Sequence, residues 1–163
     1  MSKKIIIIAM VLFAIKTQAQ LVQGDLKCKE KSKVELEIKG NKAVNLYAAF
    51  RENNYPIHFV FTGIDIPLNT EKKEVVQFVF STTIKRDGKI IGNIKRAPIP
   101  FFPGDMLMPV ETFDFISMMS NLQTNGNDNV SEIPSGSYEI TLDAKPIGIK
   151  GTISSLRLYL KIN

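Results

Sequence analysis

The stretch VVQFVFSTTIKRDGKIIGNIK, residues 75–95, predicts a β-hairpin at the centre of the fold. Residues 75–84 are apolar on both alternating faces, which is typical of a strand that lies inside its sheet. Asp87-Gly88 separates this run from a second apolar run, and that dipeptide is a strong local signal for a two-residue hairpin turn. The stretch therefore favours an all-β fold in which neighbouring strands are antiparallel.

Period-two alternation of apolar and polar residues marks five further segments as strands. In VELEIK, for example, Val34, Leu36 and Ile38 share one face and charged residues share the other. The five segments are residues 34–39, 43–50, 57–66, 136–144 and 152–162. About seven short strands joined by turns predict an antiparallel two-layer β-sandwich, with either immunoglobulin-like or transthyretin-like topology.

One short helix is predicted near residues 109–122. Pro109 suits the first helical position, and Glu111 in the first turn interacts favourably with the helix dipole. Residues 110, 113, 116 and 119 are apolar at a three-residue spacing, which indicates one face turned toward the core. We expect this helix to close one end of the sandwich.

The N-terminus has the pattern of a secretory signal peptide. Two lysines precede an apolar run over residues 5–15, and KTQAQ follows with small residues suited to cleavage after Ala19. An apolar run this short does not span a bilayer. We therefore predict a signal peptide over 1–19, a single β-sandwich domain over 20–163, no transmembrane segment after cleavage, and a periplasmic or extracellular (secreted) location. A buried N-terminal strand is the alternative interpretation of residues 5–15.

Charge and cysteine content argue against several classes of partner. The formal net charge is +5, and it falls to +2 if the three lysines of the signal peptide are removed. The basic runs KCKEKSK (27–33) and IKRDGKIIGNIKR (84–96) are interrupted by a glutamate and by a turn, so we expect no nucleic-acid partner. Cys28 is the only cysteine, so no intrachain disulfide forms, although a reactive or intermolecular thiol stays open as an alternative.

The sequence offers little catalytic or metal chemistry. His58 is the only histidine, no G-x-S-x-G motif accompanies it, and the chain has no tryptophan to stack against a sugar. The acids in apolar surroundings are Asp65, Asp105, Asp114 and Asp143. A copper site of Met106, Met108, Met118, Met119 and His58 is disfavoured because methionine more often fills a core, and residues 125–132 match a calcium loop poorly. We expect no enzyme, no cofactor and no bound metal.

The segment RAPIPFFPGDMLMP, residues 96–109, is the best candidate for a functional site. Its prolines exclude a central strand between Ala97 and Gly104 and favour an extended backbone near polyproline II. The candidate contacts for a partner are Phe101, Phe102, Met106, Leu107 and Met108. Two interpretations stay open: an exposed recognition surface, or an internal strap that covers the end of the sandwich.

The leading functional hypothesis is a non-catalytic exported domain that binds another macromolecule, namely a protein or an envelope component, through loop 96–109. The alternative is a carrier of a small apolar ligand in which the helix at 109–122 covers a cavity between the sheets. The pattern of residues does not predict an oligomeric state.

Overall fold

The computed structural model describes residues 21–123 and 132–163. The predicted signal peptide, 1–19, lies outside the described residues, as do residues 124–131 of the polar loop. Along the described chain no helix is both long and apolar enough to cross a membrane. The elements in chain order are β1 (Leu21–Cys28), β2 (Lys33–Leu36), α1 (Ala43–Arg51), β3 (Ile57–Ile64), β4 (Val76–Arg86), β5 (Lys89–Lys95), β6 (Ile99–Phe101), β7 (Gly104–Met108), α2 (Phe115–Ser120), β8 (Gly136–Ile147), β9 (Lys150–Ser154) and β10 (Leu156–Ile162).

Within the described residues, ten strands form two sheets, which confirms the predicted all-β sandwich-like fold. One sheet has the order β7-β3-β1-β9, and the other has the order β2-β10-β8-β4-β5. The short strand β6 also pairs with β4, beyond the residues of β4 that pair with β5. The predicted hairpin is confirmed: β4 and β5 are antiparallel, and Asp87 and Gly88 between them have φ of 48° and 79°.

Two strand pairs are parallel, which differs from the all-antiparallel expectation. β1 runs parallel to β9, and β2 runs parallel to β10. The predicted single strand 152–162 is in fact two strands that separate at Ser155 and lie in different sheets. The early segment β1–β2 and the late segment β9–β10 both cross from the four-stranded to the six-stranded sheet. Because they cross side by side in the same direction, their strands pair in parallel.

The prediction of a strand at 43–50 is wrong, because this segment forms helix α1. Ala43, Leu46 and Phe50 are buried, whereas Val44 is 65% exposed. Apolar residues at positions 43, 46, 47 and 50 follow the helical spacing of three and four, and they also contain a partial alternation. Ala48 and Ala49 add high helix propensity, and they tip this ambiguous pattern toward the helix.

Strand β1 was not among the predicted strands. Its inward positions are Val22, Gly24, Leu26 and Cys28, so glycine interrupts the apolar alternation where a side chain would be expected. A Cβ atom at Gly24 would come within 2.1 Å of the Val60 carbonyl oxygen on β3. The backbone of β1 therefore approaches β3 so closely that only glycine fits.

The helix predicted at 109–122 is broken into a 3₁₀ turn over Val110–Thr112 and helix α2, with Asp114 at a φ of 54° between them. The predicted inward residues Val110, Phe113, Ile116 and Met119 are nevertheless all buried. Arg96 donates hydrogen bonds to the carbonyls of Glu111 and Thr112, and Thr82 Oγ1 donates to the Phe113 carbonyl at 2.7 Å. Because these carbonyls accept hydrogen bonds from side chains, they do not need the backbone N–H groups of a continuous helix. The backbone can therefore turn at Asp114.

Phenylalanine rings fill the space between the two sheets. Phe59 on β3 is fully buried, and its ring centroid lies 4.8 to 5.6 Å from four neighbouring rings. The four neighbours are Phe61, Phe78, Phe80 and Phe101. Most of these contacts are edge-to-face, an arrangement that adds stability beyond the burial of area. The ring of Phe101 therefore joins loop 96–109 to the core.

Candidate functional site

The structure divides the five candidate contact residues between the core and the surface. Met108 is only 5% exposed, and Phe101 and Met106 are half-buried and pack against the core. Phe102 and Leu107 are 51% and 56% exposed. Each of the two interpretations therefore describes part of the loop: one set of side chains covers the end of the sandwich, and the other set faces solvent.

The backbone of the loop takes positions at sheet edges, as its prolines require. Strand β6, which contains Pro100, pairs with β4 over three residues. Strand β7 pairs with β3 and is the last strand of the four-stranded sheet. Proline cannot donate a hydrogen bond to a sheet, so a central position for residues 97–104 would leave acceptors unpaired.

Ion pairs hold both ends of the loop. Arg96, at its start, contacts the carboxylate of Asp114, which follows its end. Arg51 on α1 donates two hydrogen bonds, of 2.8 and 2.5 Å, to Oε1 of Glu111. The hydrogen bond from its own backbone N–H, together with those from Arg51, lowers the pKa of Glu111. The loop is thus fixed to α1 and α2 before any partner arrives.

A pocket of about 220 Å³ opens at the C-terminal end of β7. Its walls come from the end of α1, the start of β3 and residues 107–111. Its lining includes Phe50, Arg51, Ile57, Leu107, Pro109 and Glu111. The pocket is apolar at its base, and the Arg51–Glu111 pair contributes a charged wall. An apolar side chain flanked by polar groups fits this environment.

The edge of β7 differs in charge from the three other terminal strands. Lysine is present in β9 (Lys150), in β2 (Lys33) and in β5 (Lys89 and Lys95), whereas GDMLM of β7 contains none. Edge lysines are a common means of preventing unwanted strand pairing. Strand β7 instead exposes Leu107 and has Asp105 as its one charged residue, so its edge lacks the lysine that the other edges have.

The structure brings together His58 and Asp105, which the sequence did not connect. His58 Nδ1 lies 2.7 Å from Asp105 Oδ1 across the β3–β7 pair. Two of the other acids have partners of their own: Asp114 contacts Arg96, and Asp143 accepts a hydrogen bond from Ser155. In the described part of the chain no three His, Cys, Asp or Glu side chains are grouped as metal ligands would be. The His58–Asp105 pair links β7 to β3.

Cys28 lies at the end of β1 and is fully buried. Burial raises the pKa of its thiol from the ordinary 9.0 to about 11. Because the thiolate is the reactive form, the folded protein keeps this thiol unreactive. These features disfavour the alternative in which Cys28 forms an intermolecular disulfide.

We expect the stability of the protein to fall in alkaline solution because of Cys28. The thiol ionises near pH 9 in the unfolded chain and near pH 11 in the folded one, so the unfolded state loses its proton first. The stabilisation that comes from the protonated Cys28 thiol is fully present below pH 9 and is lost by pH 11. The free energy of unfolding should fall by about 2 to 3 kcal/mol over this range. Urea unfolding of the wild type and of Cys28→Ala between pH 8 and 11 measures the difference.

Tyr138, whose pKa burial also raises, is present in both proteins and cancels in this comparison. A disulfide reagent should label Cys28 only when the protein is unfolded. Rapid stoichiometric labelling of the native protein, or identical pH profiles for the two proteins, would contradict the assignment.

Comparison with models of known protein families gives no match, and comparison with curated proteins gives none. The proposal that follows is therefore supported by the chain's own sequence and geometry.

Proposed function

We propose that this chain is an exported, non-catalytic domain that binds an extended segment of another protein at the β7 edge surface. The β7 edge surface consists of the open edge of β7, the exposed side chains of Phe102 and Leu107, and the adjoining pocket. The observation that carries the proposal is that β7 is a terminal strand without lysine, next to an apolar pocket. Export is supported by the charged, apolar and small-residue pattern of residues 1–19.

An extended polypeptide suits the chemistry of this surface. A terminal strand offers backbone N–H and C=O groups to an added strand, while pockets beside it select particular side chains. The ion pairs at Arg96 and Arg51 hold the loop in one conformation. Less conformational entropy is then lost on binding than with a mobile loop.

The dimensions of the pocket favour this role over the carrier. Sites for drug-sized ligands have volumes of about 300 to 1,000 Å³, and the pocket beside β7 has about 220 Å³. The space between the sheets, where a carrier would keep its ligand, is occupied by the rings around Phe59. One apolar side chain of a partner is the occupant that the pocket accommodates.

A peptide-display selection on the purified protein tests the proposal. We expect the selected peptides to be extended, to carry one apolar anchor, and to protect β7 amides from hydrogen exchange. Leu107→Lys gives β7 the edge lysine that the other terminal strands have, and it should weaken binding at least ten-fold. Its stability should change by no more than about 0.5 kcal/mol, because Leu107 is exposed.

Ile90→Lys is the matched control, because Ile90 is a 67% exposed apolar residue on the edge strand β5 of the other sheet. This variant should bind the peptides as the wild type does. Peptides that bind Leu107→Lys equally well would refute the proposal. So would a wild-type dimer that dissociates in Leu107→Lys, since the edge would then serve a second copy of this chain.

A further inference from the structure

The turn between β1 and β2 places Lys29 and Glu30 in an unfavourable backbone conformation. Lys29 and Glu30 have φ of 49° and 58°, and the turn is closed by hydrogen bonds of 2.9 and 3.0 Å between the backbones of Cys28 and Lys31. Asn-Gly is the usual occupant of a hairpin turn with two positive φ values, because other side chains crowd the backbone there. Strained residues of this kind often lie at functional sites.

Two cations face each other directly beyond this turn. Lys33 on β2 is the cross-strand partner of Arg157 on β10, and both side chains are exposed on the outer face of the sheet. Because these two cations are register partners on one face of neighbouring strands, their charges repel each other. Along the described chain neither residue makes an ion pair. Of the nearby acids on β8, Glu139 contacts Lys85 and Asp143 contacts Ser155.

Aromatic rings hold two of the lysines in position. The Lys29 ammonium lies 4.4 Å from the centroid of the Tyr55 ring, and the Lys33 ammonium lies 4.8 Å from that of Tyr159. Tyr55 is itself fixed, because its hydroxyl accepts a hydrogen bond from Glu37 N at 2.7 Å and donates to Glu37 O at 3.0 Å. Cation–π contacts of this kind order the ammonium groups without neutralising them.

A groove of about 560 Å³ lies between these groups. Among its lining residues are Lys29, Lys31, Lys33, Glu35, Glu37 and Tyr55. Arg157 is not a lining residue of the groove; it is the register partner of Lys33 on the neighbouring strand β10. The two glutamates would repel a continuous polyanion such as a nucleic-acid backbone, so the arrangement suits one anionic group rather than a row of them.

We propose that a single tetrahedral oxyanion, a phosphate or sulfate group, binds between Lys33 and Arg157 on the outer face of the six-stranded sheet, beside this basic groove. The guanidinium can donate two parallel hydrogen bonds to such an oxyanion, and the ammonium supplies a point charge. A bound anion would also remove the repulsion between the two opposed cations. This site lies on a different sheet from the β7 edge surface and is independent of the function proposed there.

Titration with inorganic phosphate at low ionic strength tests the site, with side-chain NMR signals of Lys33 and Arg157 as the readout. We expect saturable shifts in the wild type and at least ten-fold weaker binding in Lys33→Gln and in Arg157→Gln. Lys145→Gln is the control, since Lys145 is an exposed lysine on β8 of the same sheet, and its affinity should stay within two-fold. Unsaturable shifts at all lysines alike, or equal affinity in Lys33→Gln, would overturn the proposal.

Thermal melting supplies a second readout that a merely structural lysine would not produce. In chloride alone, Lys33→Gln removes both the repulsion from Arg157 and the cation–π contact with Tyr159, so the Tm of each protein in chloride serves as its own reference. Phosphate at the same ionic strength should raise the Tm of the wild type and not that of the variant. An equal rise of the Tm with phosphate in the wild type and in Lys33→Gln would refute the proposal.

The anion could be free or carried by a lipid headgroup. Vesicles of zwitterionic lipid with and without an anionic phospholipid separate these sources. Cosedimentation only with the anionic vesicles, lost in Arg157→Gln, would assign the headgroup. Phosphate binding without cosedimentation would assign the free anion.

Discussion

Replacement of Phe59 by alanine should lower the free energy of unfolding by about 3 to 5 kcal/mol, because it removes a buried ring and leaves a cavity. Phe59 is fully buried, and its ring contacts phenylalanines from β3, β4 and β6. At about 2 to 4 °C per kcal/mol for a domain of this size, the Tm should fall by roughly 10 °C or more. Urea unfolding and calorimetry measure both quantities.

Phe102→Ala is the matched control for Phe59→Ala. It makes the same chemical change at a side chain that is 51% exposed, and it should alter stability by no more than about 0.5 kcal/mol. A loss below about 1 kcal/mol in Phe59→Ala would show that the rings around Phe59 do not form the packed centre of the sandwich.

Simultaneous replacement of Phe101, Met106 and Met108 by serine should cost about 5 kcal/mol or more. Met108 is buried, and the other two are half-buried against the core, so the change removes apolar contacts at three positions of one loop. This is a large part of the 5 to 15 kcal/mol by which domains are typically stable, and the Tm should fall by roughly 10 to 20 °C. Calorimetry of the triple variant measures it.

The matched variant changes Phe102 and Leu107 to serine, in the same loop but on its solvent side. Its melting temperature should stay close to that of the wild type, while capture of the selected peptides should be lost. If the Phe102 and Leu107 double variant were destabilised as much as the triple variant, the loop would have no exposed side. The proposal that the β7 edge surface binds a partner would then be contradicted. The pair of variants thus separates the role of the loop in stability from its proposed role in binding.

Local sequence signals predicted those elements whose structure depends on near neighbours. The β4–β5 hairpin follows from Asp87-Gly88 between two apolar runs, and the alternation in β3 and β8 matches their buried faces. Helix α1 could not be separated from a strand in the same way, because its apolar residues satisfy both periods over only nine residues. Strand β1 was missed because Gly24 makes room for β3 instead of contributing an apolar side chain.

The candidate site, too, was predicted from the sequence only in part. The prolines of loop 96–109 predicted an extended segment that is not a central strand, and the apolar content marked the loop as unusual. Which of its side chains face solvent depends on the pairing of β7 with β3, and that pairing joins residues about 50 positions apart. The His58–Asp105 and Lys33–Arg157 pairs likewise arise from strand register, so neither could be read from sequence spacing.

Local sequence patterns predicted the sandwich-like β fold, the central hairpin, the buried stripe of residues 110–119 and the exclusion of loop 96–109 from the middle of a sheet. These features depend on side-chain periodicity, turn conformation and the missing N–H of proline, all of which act over a few residues. Long-range strand pairing, in contrast, sets β1 and β2 parallel to β9 and β10, exposes Phe102 and Leu107, and places Lys33 beside Arg157. Burial and register are set by contacts between distant segments, because each strand gains its hydrogen bonds and its apolar contacts from partners elsewhere in the chain.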